Sequence, residues 1–269
     1  MSIITLLSDF GLKDSYVSEM KAVILSINPK AVLVDITHEV PKYDVRFGAF
    51  VLASAAPHFP RGTVHLGIVD PCVGGKRKPI IIKTKRGTYV GPDNGILILA
   101  AKNDGILGVF EIAEKKYFER EVSPTFHGRD LFSPVAAHIS KGVRAEKIGT
   151  PFESYLQPSF TSVHVRNGLL DCEIIHTDSF GNVITNLKVT DLSRLGVRFG
   201  MMIGLGKRRF PFLRTYSETT KGTLVGLIGS HGFFEIAANQ RSAAELLDLE
   251  AGRRLRLNVV SYLSLRASS

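Results

Sequence analysis

Cysteine is nearly absent from this 269-residue chain: Cys72 and Cys172 stand far apart and in no CxxC or Cys/His pattern. That excludes a disulfide scaffold and a cysteine-based zinc motif, and it fits a reducing compartment. No stretch approaches the roughly 18 apolar residues that a membrane-spanning helix needs. The N-terminus reaches Asp9 before the apolar core of a signal peptide could form, so a soluble, cytoplasmic protein is expected. The eight histidines show no HExxH or similar ligand spacing, and no metal site is expected. The glycine-rich segments also fall short of known phosphate motifs. The run from Gly67 to Arg77 lacks the GxxxxGK[ST] spacing, and Gly204-Leu205-Gly206-Lys207 lacks both a third glycine and a following helix. There is no internal repeat and no low-complexity segment.

What is present is the composition of a folded protein, 44% hydrophobic and 22% charged, long enough for one large domain or two ordinary ones. The net charge of +9 raises the question of nucleic-acid binding. Its short clusters, Lys76-Arg77-Lys78 and Lys207-Arg208-Arg209, are not interleaved with the aromatics that base stacking requires. A basic surface on a small-molecule enzyme is the simpler expectation, with no nucleic-acid partner.

The first half alternates short apolar runs with amphipathic stretches. Strands are expected at 3–7, 31–36, 63–69 and 79–84, and helices at about 15–27, 43–55, 95–102 and 131–140, with Asn28-Pro29 stopping the first. After Pro151-Phe152 the pattern changes to short strand candidates at 162–165, 169–176, 182–187, 197–205 and 223–228, with one helix near 242–247. The expected fold is an α/β N-terminal domain (a βαβ layered sheet, residues 1–157) followed by a smaller all-β barrel domain (residues 158–269).

Ligands of open α/β sheets bind beyond the C-terminal ends of the strands. Asp9 falls there, where a carboxylate can accept hydrogen bonds from two ribose hydroxyls. Asp14, five residues on, can hold a cation or simply cap the next helix. Asp70 and Arg77 place an acid and a base on one glycine-rich loop, equally readable as a structural ion pair. His127 stands at the entrance to a helix, where backbone N–H groups and the helix dipole disfavour its protonation. A lone histidine is as readily structural. Asp178 and Asn182 bound a tight turn, and Ser230 lies in a loop before Phe233; both could be ordinary β-turns. The amide of Asn182 could also read a purine edge, since it supplies donor and acceptor.

Several of these segments, in the same order across nearly the whole chain, resemble the S-adenosylmethionine hydroxide adenosyltransferases, the group that includes fluorinase and chlorinase enzymes. The segments are Ser8-Asp9-Phe10-Gly11, Asp35-Ile36-Thr37-His38, Val69-Asp70-Pro71-Cys72-Val73-Gly74, Gly91-Pro92-Asp93-Asn94-Gly95, Thr125-Phe126-His127-Gly128-Arg129-Asp130, Asp178-Ser179-Phe180-Gly181-Asn182 and Gly229-Ser230-His231-Gly232. The resemblance implies hydrolysis of S-adenosylmethionine at ribose C5′ to adenosine and methionine. It also implies a homotrimer and no cofactor, S-adenosylmethionine being the substrate. Carried over by position, Asp9 would hold the ribose diol, and Asp14, Asp178 and Ser230 the methionine. Tyr43 and Tyr216 would be aromatic walls, while Asn182 and the stretch from Glu235 to Asn239 would border adenine. The halide-using members carry tyrosine where this chain has Asp70, and they lack the histidine found here as His127. The set Asp70, Arg77 and His127 therefore implies the water-using branch. His231 departs from the arginine of the fluorinase.

Overall fold

A computed structural model describes residues 2–166 and 169–260. The chain divides into two compact units between Pro158 and Ser159.

In the first unit the apolar runs become β1 (Ser2–Ser8), β2 (Ala31–Thr37), β3 (Val64–Ile68), β4 (Pro79–Thr84), β5 (Thr88–Pro92), β6 (Ile106–Ile112) and β7 (Gly149–Pro151). They form one sheet in the order β2-β1-β3-β5-β4-β6-β7. Strands β2, β1, β3 and β5 run parallel, while β4, β6 and β7 join antiparallel, so the sheet is mixed. Four α-helices accompany it: α1 (Tyr16–Ile27), α2 (Val45–Ala55), α3 (Ile98–Asp104) and α4 (Ser133–Ser140).

The twofold alternation of strand side chains sorts the packing. Ile4 and Leu6 of β1 join Leu66 and Ile68 of β3, Met20 and Ile24 of α1, and Val135 and Ala136 of α4 in one core. Gly67, one residue out of phase, meets Leu52 of α2 and Leu97 instead. Both faces are covered, which is why β3 is buried along its whole length. Gly91 is required in β5, since a Cβ there would lie 2.3 Å from the Gly67 carbonyl oxygen.

The second unit holds β8 (His164–Arg166), β9 (Leu169–Thr177), β10 (Val183–Lys188), β11 (Met202–Leu205), β12 (Arg208–Pro211), β13 (Leu224–Ile228), β14 (Phe233–Ala238) and β15 (Arg254–Val260). Among the described residues it also holds two short helices, α5 (Val189–Arg194) and α6 (Ala243–Leu247). The ladder runs β12-β11-β15-β9-β10-β14-β13, with β8 paired to β9. Phe212, just past β12, bridges to Gly226 of β13, so the sheet nearly closes on itself in a barrel-like form. Leu170, Ile174, Phe210, Phe234 and Leu257 belong to its core.

The structure departs from the sequence expectations in particular places. Strands β5 and β6 carry Gly91-Pro92 and Gly108, residues that read as breakers, yet the sheet accommodates them. The second helix starts at Val45 because Asp44 caps it, its side chain accepting from the Phe47 N–H at 2.9 Å; Tyr43 lies outside the helix with φ +68°. Residues 128–132 form a π-turn that precedes α4. In the second unit only residues 202–205 of the expected 197–205 strand are extended, with Gly196 and Gly200 in left-handed conformations. Helix α5 was not anticipated; it is short and opens with β-branched residues, but the Asp191 side chain accepts from the Lys188 N–H at 2.9 Å. Among the described residues, no helix is long and apolar enough to cross a membrane, and no three His, Cys, Asp or Glu side chains are grouped to hold a metal ion.

Candidate active site

Strands β1 and β3 lie side by side with Ser8 opposite Ile68, so the loops that follow them emerge at the same sheet edge. Asp9 and Asp70 are the acids of those loops. Asp9 is 6% exposed, and its Oδ2 accepts from the Tyr43 N–H at 2.9 Å. The Lys42 ammonium donates to the Asp9 carbonyl oxygen. Tyr43 adopts a left-handed backbone that a tyrosine rarely takes, and its bond to Asp9 helps to hold it there. The residue is 70% exposed. Asp14 is also exposed, and it is not the helix cap: that position belongs to Ser15, whose hydroxyl donates to Glu19 at 2.6 Å.

The second loop folds back over the sheet edge. Gly74 has φ +75°, and a Cβ there would lie 2.4 Å from the Pro124 carbonyl oxygen, so glycine lets this loop approach the segment that carries His127. There Arg77 grips Asp70 through two nitrogens, Nε at 2.9 Å and an Nη2 at 2.5 Å from the same Oδ2, with Nε also 3.1 Å from Oδ1. Both side chains are almost completely buried. The same Nη2 lies 2.6 Å from Nδ1 of His127. Phe132 supports the guanidinium from below, its ring centroid 5.3 Å from Cζ.

A guanidinium only donates, so Nδ1 of His127 must accept, and the imidazole proton resides on Nε2. Burial and then the positive charge of Arg77 push the His127 pKa below its ordinary value, which agrees with a neutral ring. The histidine thus stands where the sequence placed it, at the entrance of the π-turn, where burial is the first cause of its lowered pKa and Arg77 the second. The π-turn is braced from behind. Asp130, 3% exposed, receives Nε of Arg129 at 2.6 Å and the Ser123 N–H at 2.8 Å, and Arg129 reaches Glu19 of α1 at 2.9 Å.

The remaining candidates lie in the second unit. Asp178 organises its turn: Oδ1 accepts from the Phe180 and Asn182 N–H groups at 3.0 and 2.9 Å, and Oδ2 from Nδ2 of Asn182 at 2.9 Å. One amide hydrogen of Asn182 is therefore spent within the turn, leaving the other and Oδ1 for a ligand. Asp178, Phe180, Asn182, Tyr216, Asn239 and Arg241 line a pocket of about 690 Å³. Glu235 is 2% exposed and accepts from the Tyr216 hydroxyl, with Nε2 of His231 at 3.2 Å from its other oxygen. That bond, after burial, raises the Tyr216 pKa and keeps the phenol protonated. Ser230 is exposed in the turn between β13 and β14.

Sequence reasoning passed over Phe180 and Arg241. Phe180 is 78% exposed in a turn between Asp178 and Gly181, where an aromatic has no core to join; that placement was the available signal. Arg241 had none.

A family model described as the N-terminal domain of SAM hydroxide adenosyltransferases matches residues 4–149, and one described as the C-terminal domain matches residues 172–256. An (R)-S-adenosyl-L-methionine hydrolase of Thermus thermophilus is 37% identical over 260 residues, covering 93% of this chain and 97% of that protein. A protein of the same name from Methanocaldococcus jannaschii is 36% identical, covering 93% of each chain. A fluorinase of Nocardia brasiliensis is more distant, 28% identical with 96% of this chain covered and 97% of its own. Among solved structures, a conserved protein from Thermotoga maritima superposes with a TM-score of 0.81 at 36% identity, covering 96% of this chain and all of that one.

Proposed function

The chain belongs to the SAM hydroxide adenosyltransferase family, and from that premise we infer that it hydrolyses S-adenosyl-L-methionine to adenosine and L-methionine, with Asp70, Arg77 and His127 serving the attacking water. The observation that carries this reading is the closed Asp70–Arg77–His127 cluster at the sheet edge, two of its members absent from the halide-using pattern.

The sulfonium is already a good leaving group, so no acid is needed to expel methionine. Water attacks C5′ while the C5′–S bond breaks, the electron pair remains on sulfur as the neutral thioether, and one proton leaves the former water. The site must hold that water in line at about 3–3.5 Å and keep bulk solvent away. Of the three side chains, Arg77 can only donate, and His127 has its acceptor nitrogen occupied. His127 therefore offers Nε2–H to one lone pair of the water, leaving the other to attack. Asp70 is the member with acceptor capacity to spare, and it takes the hydrogen bond, and with it the proton, as the oxygen becomes acidic.

The remaining roles follow by position: Asp9 for the ribose diol, Asp14, Asp178 and Ser230 for methionine, Tyr43 and Tyr216 as aromatic walls. Asn182 and Asn239 border adenine, with Glu235 acting behind Tyr216. No cofactor takes part. At the finer level of fold, the first unit is a βαβ layered domain and the second a β-barrel, in a cytoplasmic homotrimer. Chromatography of products from purified protein and S-adenosyl-L-methionine, with and without fluoride or chloride, tests the reading. It should show adenosine and methionine in every case. A 5′-halo-adenosine, or no adenosine, would overturn it.

A further inference from the structure

Beneath Asp9 runs a chain of polar groups, buried at Ser8 and His38 and open to solvent at Asp35 and Lys21, that the hydrolysis leaves unused. The Ser8 hydroxyl lies 2.7 Å from Nδ1 of His38, with both residues buried (0% and 3% exposed). Nε2 of His38 lies 3.2 Å from Oδ1 of Asp35, whose Oδ2 lies 2.6 Å from the Lys21 ammonium. Ser, His and Asp in series are the components of a hydrolase triad. Here, however, the serine is sealed from solvent, and its oxygen also accepts from the Phe10 N–H at 3.3 Å, so no substrate carbonyl can reach it.

What the chain does is tie two loops together. The Gly11 N–H donates to the His38 carbonyl oxygen at 2.7 Å, and the Val40 N–H to that of Ser8 at 3.3 Å. The tie continues into Lys42 and Tyr43, which hold the backbone oxygen and the carboxylate of Asp9. Burial keeps the His38 pKa below its ordinary value, and the ring is neutral. The Asp35 carboxylate, 3.2 Å from Nε2 but not in hydrogen-bonding alignment with it, favours the proton on that nitrogen, so Nδ1 accepts from Ser8.

We propose that His38 is a positioning residue for substrate recognition: through Ser8 and the residue 38–43 loop it fixes the direction in which the Asp9 carboxylate meets the ribose hydroxyls. The proposal rests on the reading of Asp9 as the ribose clamp. Such a role costs ribose recognition alone when removed, whereas a general loss of structure weakens every ligand alike.

The test measures binding of adenosine and of 2′,3′-dideoxyadenosine to the full-length protein by calorimetry, together with kcat. The native protein should prefer adenosine by about tenfold or more, the worth of a hydrogen bond to a charged group. In His38→Ala that preference should shrink toward one, with dideoxyadenosine binding unchanged and kcat within about threefold. His38→Asn, whose side-chain oxygen can stand where Nδ1 stood, should recover most of it. Ser8→Ala should show the same loss, and it carries the test if His38→Ala does not fold. A full preference retained in both alanine variants overturns the proposal while sparing the ribose reading of Asp9. So does an equal loss of both ligands. No preference in the native protein overturns the ribose reading itself.

Discussion

The Asp70–Arg77–His127 cluster of the first unit and the Asp178 turn of the second are built from opposite materials. In the first unit Asp70, Arg77 and His127 satisfy one another, side chain to side chain, in near-complete burial at the pair. In the second, Asp178 spends its carboxylate on the backbone of its own turn and on the Asn182 amide. Groups of the first kind have no purpose in folding that apolar residues would not serve as well, since burying an ion pair returns little net stability. Groups of the second kind stabilise a turn whatever else they do. The difference teaches where substitution should cost turnover and where it should cost structure.

The sharpest way to break the contrast is Arg77→Met. It strands a buried carboxylate, so it should cost about 3–5 kcal/mol of stability as well as nearly all turnover, read by thermal melting and by adenosine release. Arg77→Lys should not rescue either, because an ammonium cannot reproduce the fork. Should Arg77→Met melt like the native protein and still turn over, the pairing would be ornamental.

Next in size is His127. Replacement by Ala should lower kcat about 100-fold with KM little changed. Replacement by Gln, whose amide can still donate, should stay within about tenfold of native, because the ring acts as a donor. A glutamine variant as poor as alanine would mean that the imidazole takes the proton itself. The pH dependence has a definite sign. With the His127 pKa lowered by burial and by Arg77, the ring is neutral above its ordinary range, so kcat/KM should be flat there. It should fall as the pH drops through the depressed value, where protonation breaks the bond from Arg77. In the Gln variant the acid limb due to His127 should vanish.

Asp178→Ala tests the other side. Three hydrogen bonds in one turn lose their acceptor, which should cost about 1–2 kcal/mol in thermal melting. It should raise KM while leaving kcat nearly intact. The smallest effect is expected from Tyr216→Phe, which removes one donor from buried Glu235 and should cost about 1 kcal/mol with the pocket shape preserved.

Much of this layout was legible before any coordinates. The run Ile3–Leu7 announces a buried strand, Asn28-Pro29 ends the first helix, and both follow from local chemistry. Asp9 and Asp70 were legible because a strand end is where an open sheet presents its ligands. Other features depend on residues far apart in sequence. The Ser8–His38 contact spans 30 residues and the Arg77–His127 contact 50, so no periodicity encodes them. Tyr43 gave no glycine or asparagine signal for its left-handed backbone, which its N–H bond to the distant Asp9 carboxylate helps to hold. Strand β5 was missed because Gly91-Pro92 reads as a break, although close approach to β3 is what demands the glycine.

The central claim is that a solvent oxygen displaces methionine at C5′. Incubation of the protein with S-adenosyl-L-methionine in water enriched in heavy oxygen, followed by mass spectrometry, reads it directly. One heavy oxygen in the 5′-hydroxyl of adenosine, and none in methionine, is the predicted result. Unlabelled adenosine, or 5′-methylthioadenosine with the label in homoserine, would place the cleavage elsewhere and contradict it.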